Sequence, residues 1–456
     1  MIADADFLSA LARLVVEFSL PDVDAQSGQR ARTLMLDSLG CAVAARDHPA
    51  VQKTATAAAN LSPGDVATGL GSGHRLGLLG AVLDSGAAIR ALDFNDFYWG
   101  RGLGGHPSDL YAVAFALAEA TDASLRSMLE AVIAGYEVYL RLLDLLPGNG
   151  PFDHTTAMTM AGAALAGRLF RLDSAAMAHA LAMATVRGPA LSAIRYGEIC
   201  EAKAVAPAAA GISGLISAQL AAAGIGGPVA SACGRFGIEF IVAPGADLRS
   251  LAAPPGFGMK ILDVTVKRFP CIGTAQAAVA AAVEISRQAA QAGQRVERVD
   301  VRLANDGIVI HQTTQPYRRP MQRETADHSF FSLMALAIVD GEVTPKQFAE
   351  RRFLDPDIHA MSDRLFFECD LPGAGEGLLA ARALATLTDG RQIAVAVDYP
   401  PGHCGNPLDH AGIADKFRSC AQAALGAARC GELIDRCLHG SDGRPVREIT
   451  ELLRRS

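Results

Sequence analysis

The chain has 456 residues, half of them hydrophobic but only 6% aromatic, with a formal net charge of −7. That length exceeds what one hydrophobic core supports, so two domains are expected, with interiors of Ala, Leu and Val in the manner of closely packed helices. The acidic balance offers no basic field for a phosphate backbone and argues against a nucleic-acid partner.

The N-terminus, with Asp4 and Asp6, lacks the basic-then-apolar profile of a secretory signal. From there to about residue 240 the apolar spacing is helical and predicts helices over 7–18, 27–45, 76–92, 108–120, 125–145, 155–169, 174–185 and 204–223. The stretch from Ala204 to Ile225 carries no charge and is long enough to span a bilayer. It is mostly Ala and Gly, however, and Pro207, Ser213, Ser217 and Gln219 interrupt it, so it reads as a buried helix of a soluble protein and not as a membrane segment.

The pattern changes after Pro270. A helix over 274–292 leads into a strand over 296–303, where Val299, Val301 and Leu303 alternate with polar residues. Helices are expected over 329–340 and 345–351 and a short strand over 365–369. Strands 381–387 and 393–398 flank Asp389-Gly390, a hairpin signal. A helical tail over 409–438 is expected to return to the first domain. The fold class is therefore mainly α, a large all-helical domain plus a smaller α+β one.

Nine cysteines are scattered with no Cys-x-x-Cys pair and no compact Cys/His zinc pattern, which fits thiols in a reducing cytoplasm. Only six of the 41 basic residues are lysines (Lys53, Lys203, Lys260, Lys267, Lys346 and Lys416), so a lysine inside an apolar segment carries information. No phosphate loop, His-Glu-x-x-His or nucleophile elbow is present.

Chemistry concentrates in five places. The first is Asp93, Asn95 and Asp96 followed by His106, which lies behind Gly100, Gly102, Gly104 and Gly105 and ahead of Pro107. A helix continuing past Leu92 would set Asp93 and Asp96 on one face, and the helix after Pro107 would aim its first amides at an anion. The second is Asp153-His154-Thr155, where Asp153 or Thr155 suffices as a helix cap and leaves His154 without a structural duty. Lys203, at the head of the uncharged stretch, is costly to bury without an anion. Lys267-Arg268 at the seam suits a di- or tricarboxylate. His328, in Ala326-Asp327-His328-Ser329, sits at a helix start. Imidazoles, carboxylates and lysines without a metal motif fit general acid/base chemistry beside a carboxylate, in which a base removes an α-proton and an acid protonates a departing hydroxyl.

The order Leu92-Asp93-Phe94-Asn95-Asp96, Gly105-His106-Pro107-Ser108-Asp109, Ala134-Gly135-Tyr136-Glu137-Val138 and His154-Thr155-Thr156 resembles the MmgE/PrpD family. The likeness continues through Lys203 with Pro207, Lys267-Arg268-Phe269-Pro270 and Ala326-Asp327-His328-Ser329, and so spans nearly the whole chain. Its wording is closest to the branch that dehydrates 2-methylcitrate; other members epimerise or decarboxylate related acids. The resemblance implies a helical domain over 1–266 completed by 405–456, an α+β lid over 267–404, and a site between them. It further implies a homodimer that uses no metal and no organic cofactor. It places site roles on Asp93, His106, His154, Lys203 and Lys267. Beside it, Lys267, Arg268, Asn95, Asp96 and His328 are expected to contact the substrate. Three departures stand out: Cys271-Ile272-Gly273 where the family has a histidine after Phe-Pro, Phe97 in place of a threonine, and Ser332 where decarboxylases carry tyrosine.

Overall fold

The computed structural model describes residues 7–20, 25–148, 150–195, 199–233, 235–254, 256–373 and 379–455; Asp4 and Asp6 lie outside these. The helical spacing becomes helices at nearly the expected bounds: Phe7–Glu17, Ala25–Ala44, Leu78–Arg90, Leu110–Ala120, Leu125–Leu145, Thr155–Leu169, Ser174–Arg187 and Ala202–Ala222. The spacing does not predict the helix Pro49–Leu61. Its buried positions, Ala50, Val51, Thr54 and Ala58, are small or half-polar, and it starts by local chemistry instead: His48 accepts from the Ala50 N–H and Pro49 takes the first helical position. The helix expected from 108 opens as a tight turn, Pro107–Asp109, before the α-helix begins at Leu110.

Beyond the seam, the helices Gln276–Gln291 and Phe330–Asp340 pack with a four-stranded sheet. The strand Val296–Ala304 lies in its middle, parallel to Leu365–Leu371 and antiparallel to Ala381–Leu387, which in turn pairs with Gln392–Val397 through a turn at Gly390. The alternation reads out as burial, with Val299, Val301 and Leu303 all inside. The C-terminal tail holds the helices His410–Leu425 and Ala427–His439, divided at Gly426, whose φ of +80° ends the first.

Buried apolar residues form two clusters. The larger draws on Phe7 through Val266 and on the C-terminal helices, the smaller on Cys271 through Ile393. The fold is thus mainly α with a smaller α+β domain. The Ala202–Ala222 helix, apolar enough by length and composition to cross a membrane, lies here against the helices Thr155–Leu169, Leu78–Arg90 and Ser174–Arg187. Contact with the first of these is so close that a Cβ on Gly214 would stand 2.3 Å from the Thr159 carbonyl oxygen. Gly214→Ala is therefore expected to push these helices apart and cost about 1–3 kcal/mol, read as a lower urea midpoint; an unchanged midpoint would show the crossing to be slack.

The segment after Arg90 is fastened from far along the chain. Arg323 donates to the Ala91 carbonyl (2.8 Å), Lys267 to that of Asp93 (2.9 Å) and Lys416 to that of Phe94 (2.9 Å), while Phe97 pairs through its backbone with Thr265. Both clusters therefore grip the same short turn.

Candidate active site

The helix Leu78–Arg90 stops before Asp93, which takes a left-handed φ of 50°. Asp93 and Asp96 consequently do not share a helical face, contrary to the spacing argument. The turn drives the Asp93 carboxylate, 1% exposed, into a ring of cations. Arg90 Nη1 lies 3.1 Å from Oδ1, Lys203 Nζ 3.0 Å from Oδ2, and Lys267 Nζ bonds both Oδ1 and the backbone carbonyl. His328 completes the ring with Nε2 3.5 Å from Asp93 Oδ2, and its Nδ1 bonds Asp327, itself 3.7 Å from Lys203 and held by Arg323. Asp93, Asp327 and His328 lie close enough together to present a cation-ligand set. Four neighbouring cations, Arg90, Lys203, Lys267 and Arg323, already neutralise those carboxylates, which sets the local potential against a divalent ion.

The second half of the site is a pair of imidazoles. His106 Nδ1 meets the Asp96 backbone carbonyl at 2.7 Å, and His154 Nδ1 meets the Tyr139 hydroxyl at 2.8 Å; the ring centroids are 5.5 Å apart at 69°. The same hydroxyl accepts from the His106 backbone N–H at 3.2 Å. It reaches between the two because residue 105 is glycine, where a Cβ would come within 2.4 Å of the Tyr139 oxygen. Below the loop, Asn95 donates to Ser108 Oγ (3.0 Å) and Asp109 Oδ1 (3.2 Å), while the Asp96 carboxylate accepts from the Ser108 N–H (2.9 Å) and Tyr136 (3.0 Å). The anion expected at the helix start is thus the chain's own Asp96. Three buried polar atoms here have no partner among the described residues: Arg90 Nε, Asp109 Oδ2 and His154 Nε2.

Burial dominates the titration of these groups, and neighbouring charge then decides each case. Burial, with Arg90 and Lys267 adding to it, holds His106 well below the usual imidazole range; burial takes His154 down to about 3, so both are neutral at pH 7. Burial would raise Asp93, but Arg90, Lys267 and Lys203 outweigh it and keep the group well below the carboxylate range. Asp96 and Asp109 are pushed up by burial, to about 6 and about 7. A carboxyl raised in the folded state stabilises fully only below its unfolded value, and that contribution disappears as pH climbs through the folded one. Stability is therefore expected to fall with pH between about 4 and about 7 on account of Asp109. Asp109→Asn should flatten that fall in urea midpoints taken across the window, and an identical slope would rule Asp109 out as its source.

The structure assembles Asp93, Lys203, Lys267 and His328 in one cluster and His106 with His154 in a second, at which the charge of Arg90, paired with Asp93, is felt. Asp93 touches His328, not the imidazole pair; it is the Asp96 carbonyl that bonds His106. Asn95 and Asp96 have their polar side-chain atoms taken up inside the turn. Arg268 is exposed outside the cluster, with its charge felt at Cys420. Cys271, buried and bonded by Gln276 Nε2 at 3.2 Å, has its thiol pushed up by burial and stays protonated. Phe97 packs on Gly273 with its ring centroid 5.9 Å from Lys267 Nζ. Sequence reasoning missed Arg90, Tyr139 and Asp327. The signals existed: an arginine three residues ahead of Asp93 at the end of an apolar helix, and one of only seven tyrosines set in an aliphatic helix.

Comparison with known proteins returned two family models, the MmgE/PrpD N-terminal domain over residues 9–250 and the MmgE/PrpD C-terminal domain over residues 269–440. Among curated proteins, the chain is 26% identical over 417 residues to 2-methylcitrate dehydratase of Escherichia coli (strain K12), covering 85% of this chain and 84% of that protein. It is 25% identical to the enzyme of the same name from Cupriavidus necator, covering 85% and 84%. It is 23% identical over 464 residues to cis-aconitate decarboxylase of Aspergillus terreus (strain NIH 2624 / FGSC A1156), covering 95% and 92%.

Proposed function

The chain belongs to the MmgE/PrpD family, and on that premise we propose that it is a lyase that eliminates water from a citrate-like di- or tricarboxylic acid by acid/base chemistry, without metal or organic cofactor. The observation that carries this reading is the pair of neutral imidazoles 5.5 Å apart, with the buried His154 Nε2 left unpartnered, next to a cluster of cations. A base there takes the proton from the carbon next to a carboxylate. The negative charge that develops is stabilised by Lys203, Lys267 and Arg90, and departure of the hydroxyl completes the elimination. An ammonium has three donors; Lys267 uses two of them on Asp93 and Lys203 one, so each keeps an N–H for substrate. His328, anchored by Asp327 and Asp93, faces the same charge cluster as a substrate contact.

The proposal extends to a cytoplasmic homodimer in which the lid over 267–404 closes on the helical part formed by 1–266 and 405–456. The two apolar clusters support the division into these two parts. Decarboxylation is the second reading, favoured by the near full-length likeness to the Aspergillus enzyme.

Proton NMR of the protein in deuterated water with a panel of citrate-like and dicarboxylic acids tests all of this. Loss of water is expected; loss of CO2, or α-proton exchange alone, would replace the dehydratase reading by a decarboxylase or an epimerase. Calorimetric binding without any chemical change would leave a carboxylate-binding protein and overturn the proposal.

A further inference from the structure

Resting on that reading, we infer that the two histidines are held in opposite tautomers, His106 by the Asp96 carbonyl and His154 by Tyr139 as its positioning residue, making His106 the one proton carrier and His154 a neutral hydrogen-bond donor. The bonding pattern determines this. A backbone carbonyl only accepts, so the 2.7 Å contact with the Asp96 oxygen puts the His106 proton on Nδ1 and leaves Nε2 a bare lone pair. The Tyr139 oxygen already accepts from the His106 backbone N–H, and among the described residues its own proton has one acceptor within reach, His154 Nδ1 at 2.8 Å. With Nδ1 accepting, His154 carries its proton on Nε2, the atom that is buried and unpartnered. Asp153 does not divert it: Oδ1 stands 3.9 Å from Nε2, and that carboxylate is taken by Arg195 and Thr155.

The proton count then closes on one histidine. His106 Nε2 takes the α-proton as the C–H bond breaks. The C–O bond breaks next, and the imidazolium returns that proton to the departing oxygen, releasing water and restoring neutral His106. His154 donates a hydrogen bond from Nε2 throughout and never becomes the imidazolate that full proton loss from a neutral ring would require. The neutral histidine electrophile of triosephosphate isomerase is a known precedent for such a role.

Two experiments test this on the full-length protein. In 15N-histidine NMR, with signals assigned from His106→Gln and His154→Gln, His106 should be protonated at Nδ1 and His154 at Nε2. Tyr139→Phe should release His154 into a mixture of tautomers while leaving His106 unchanged. In kinetics, His154→Gln, whose amide supplies an N–H near the same place, should keep the rate within about tenfold of wild type, while His154→Ala loses about a hundredfold or more. The same tautomer in both rings, or His154→Gln as damaged as His154→Ala, would overturn the inference. Opposed tautomers in a protein that turns over no acid would uphold the tautomers and reject the lyase reading, so the two failures are separable.

Discussion

Asp93→Asn is expected to be the most destabilising single change in the site, costing about 3–5 kcal/mol, because it removes the carboxylate that three buried cations share. Arg90 and Lys203 have side chains 2% exposed and Lys267 is fully buried, so water cannot take over the lost charge. Asparagine isolates the electrostatic part, since it occupies nearly the same volume and tolerates the φ of 50° that position 93 requires. Lys267→Met in the same background should recover part of the loss, because one of the stranded charges goes with it. Urea unfolding followed by circular dichroism measures both. A loss below about 1 kcal/mol would mean that the cations find other anions or shed protons, and the charge cluster would lose its claim to hold the turn.

His106→Ala is expected to have the largest effect on activity, a fall of about 10²–10⁴-fold in kcat with little change in the unfolding midpoint. The imidazole is half-buried and tied by one side-chain bond to the Asp96 carbonyl, so its loss removes a proton carrier without opening a core. That separates it from Asp93→Asn, where stability and activity fall together. The rate of water release from the acid identified by NMR, compared between the two proteins at equal folded concentration, is the readout. A rate within tenfold of wild type would place the proton transfer on another group.

Much of the fold is legible along the chain because its elements are local. The helices Leu125–Leu145 and Thr155–Leu169 and the strand Ala381–Leu387 fall at the expected bounds, since apolar spacing and capping residues act over a few positions. Pro49–Leu61 escapes because alanines blur the apolar stripe. The turn at Asp93 escapes for another reason: nothing in Leu92-Asp93-Phe94 dictates a left-handed residue, and the conformation persists because Lys267, Arg323 and Lys416 hold the surrounding carbonyls.

The sequence by itself determined which residues could carry chemistry, because a histidine behind four glycines and a lysine heading an uncharged helix are costly to place without a use. It also determined the family, through motifs spread over nearly the whole length. Only the tertiary structure decided how those residues pair. Lys203 and Lys267 reach Asp93 across 110 and 174 positions, and Tyr139 comes between His106 and His154 from a helix that reads as core. Ionisation and tautomer follow from the same source: both depend on burial and on which donor or acceptor lies within hydrogen-bond reach, and those are properties of packed neighbours, not of the residue or its place in the chain.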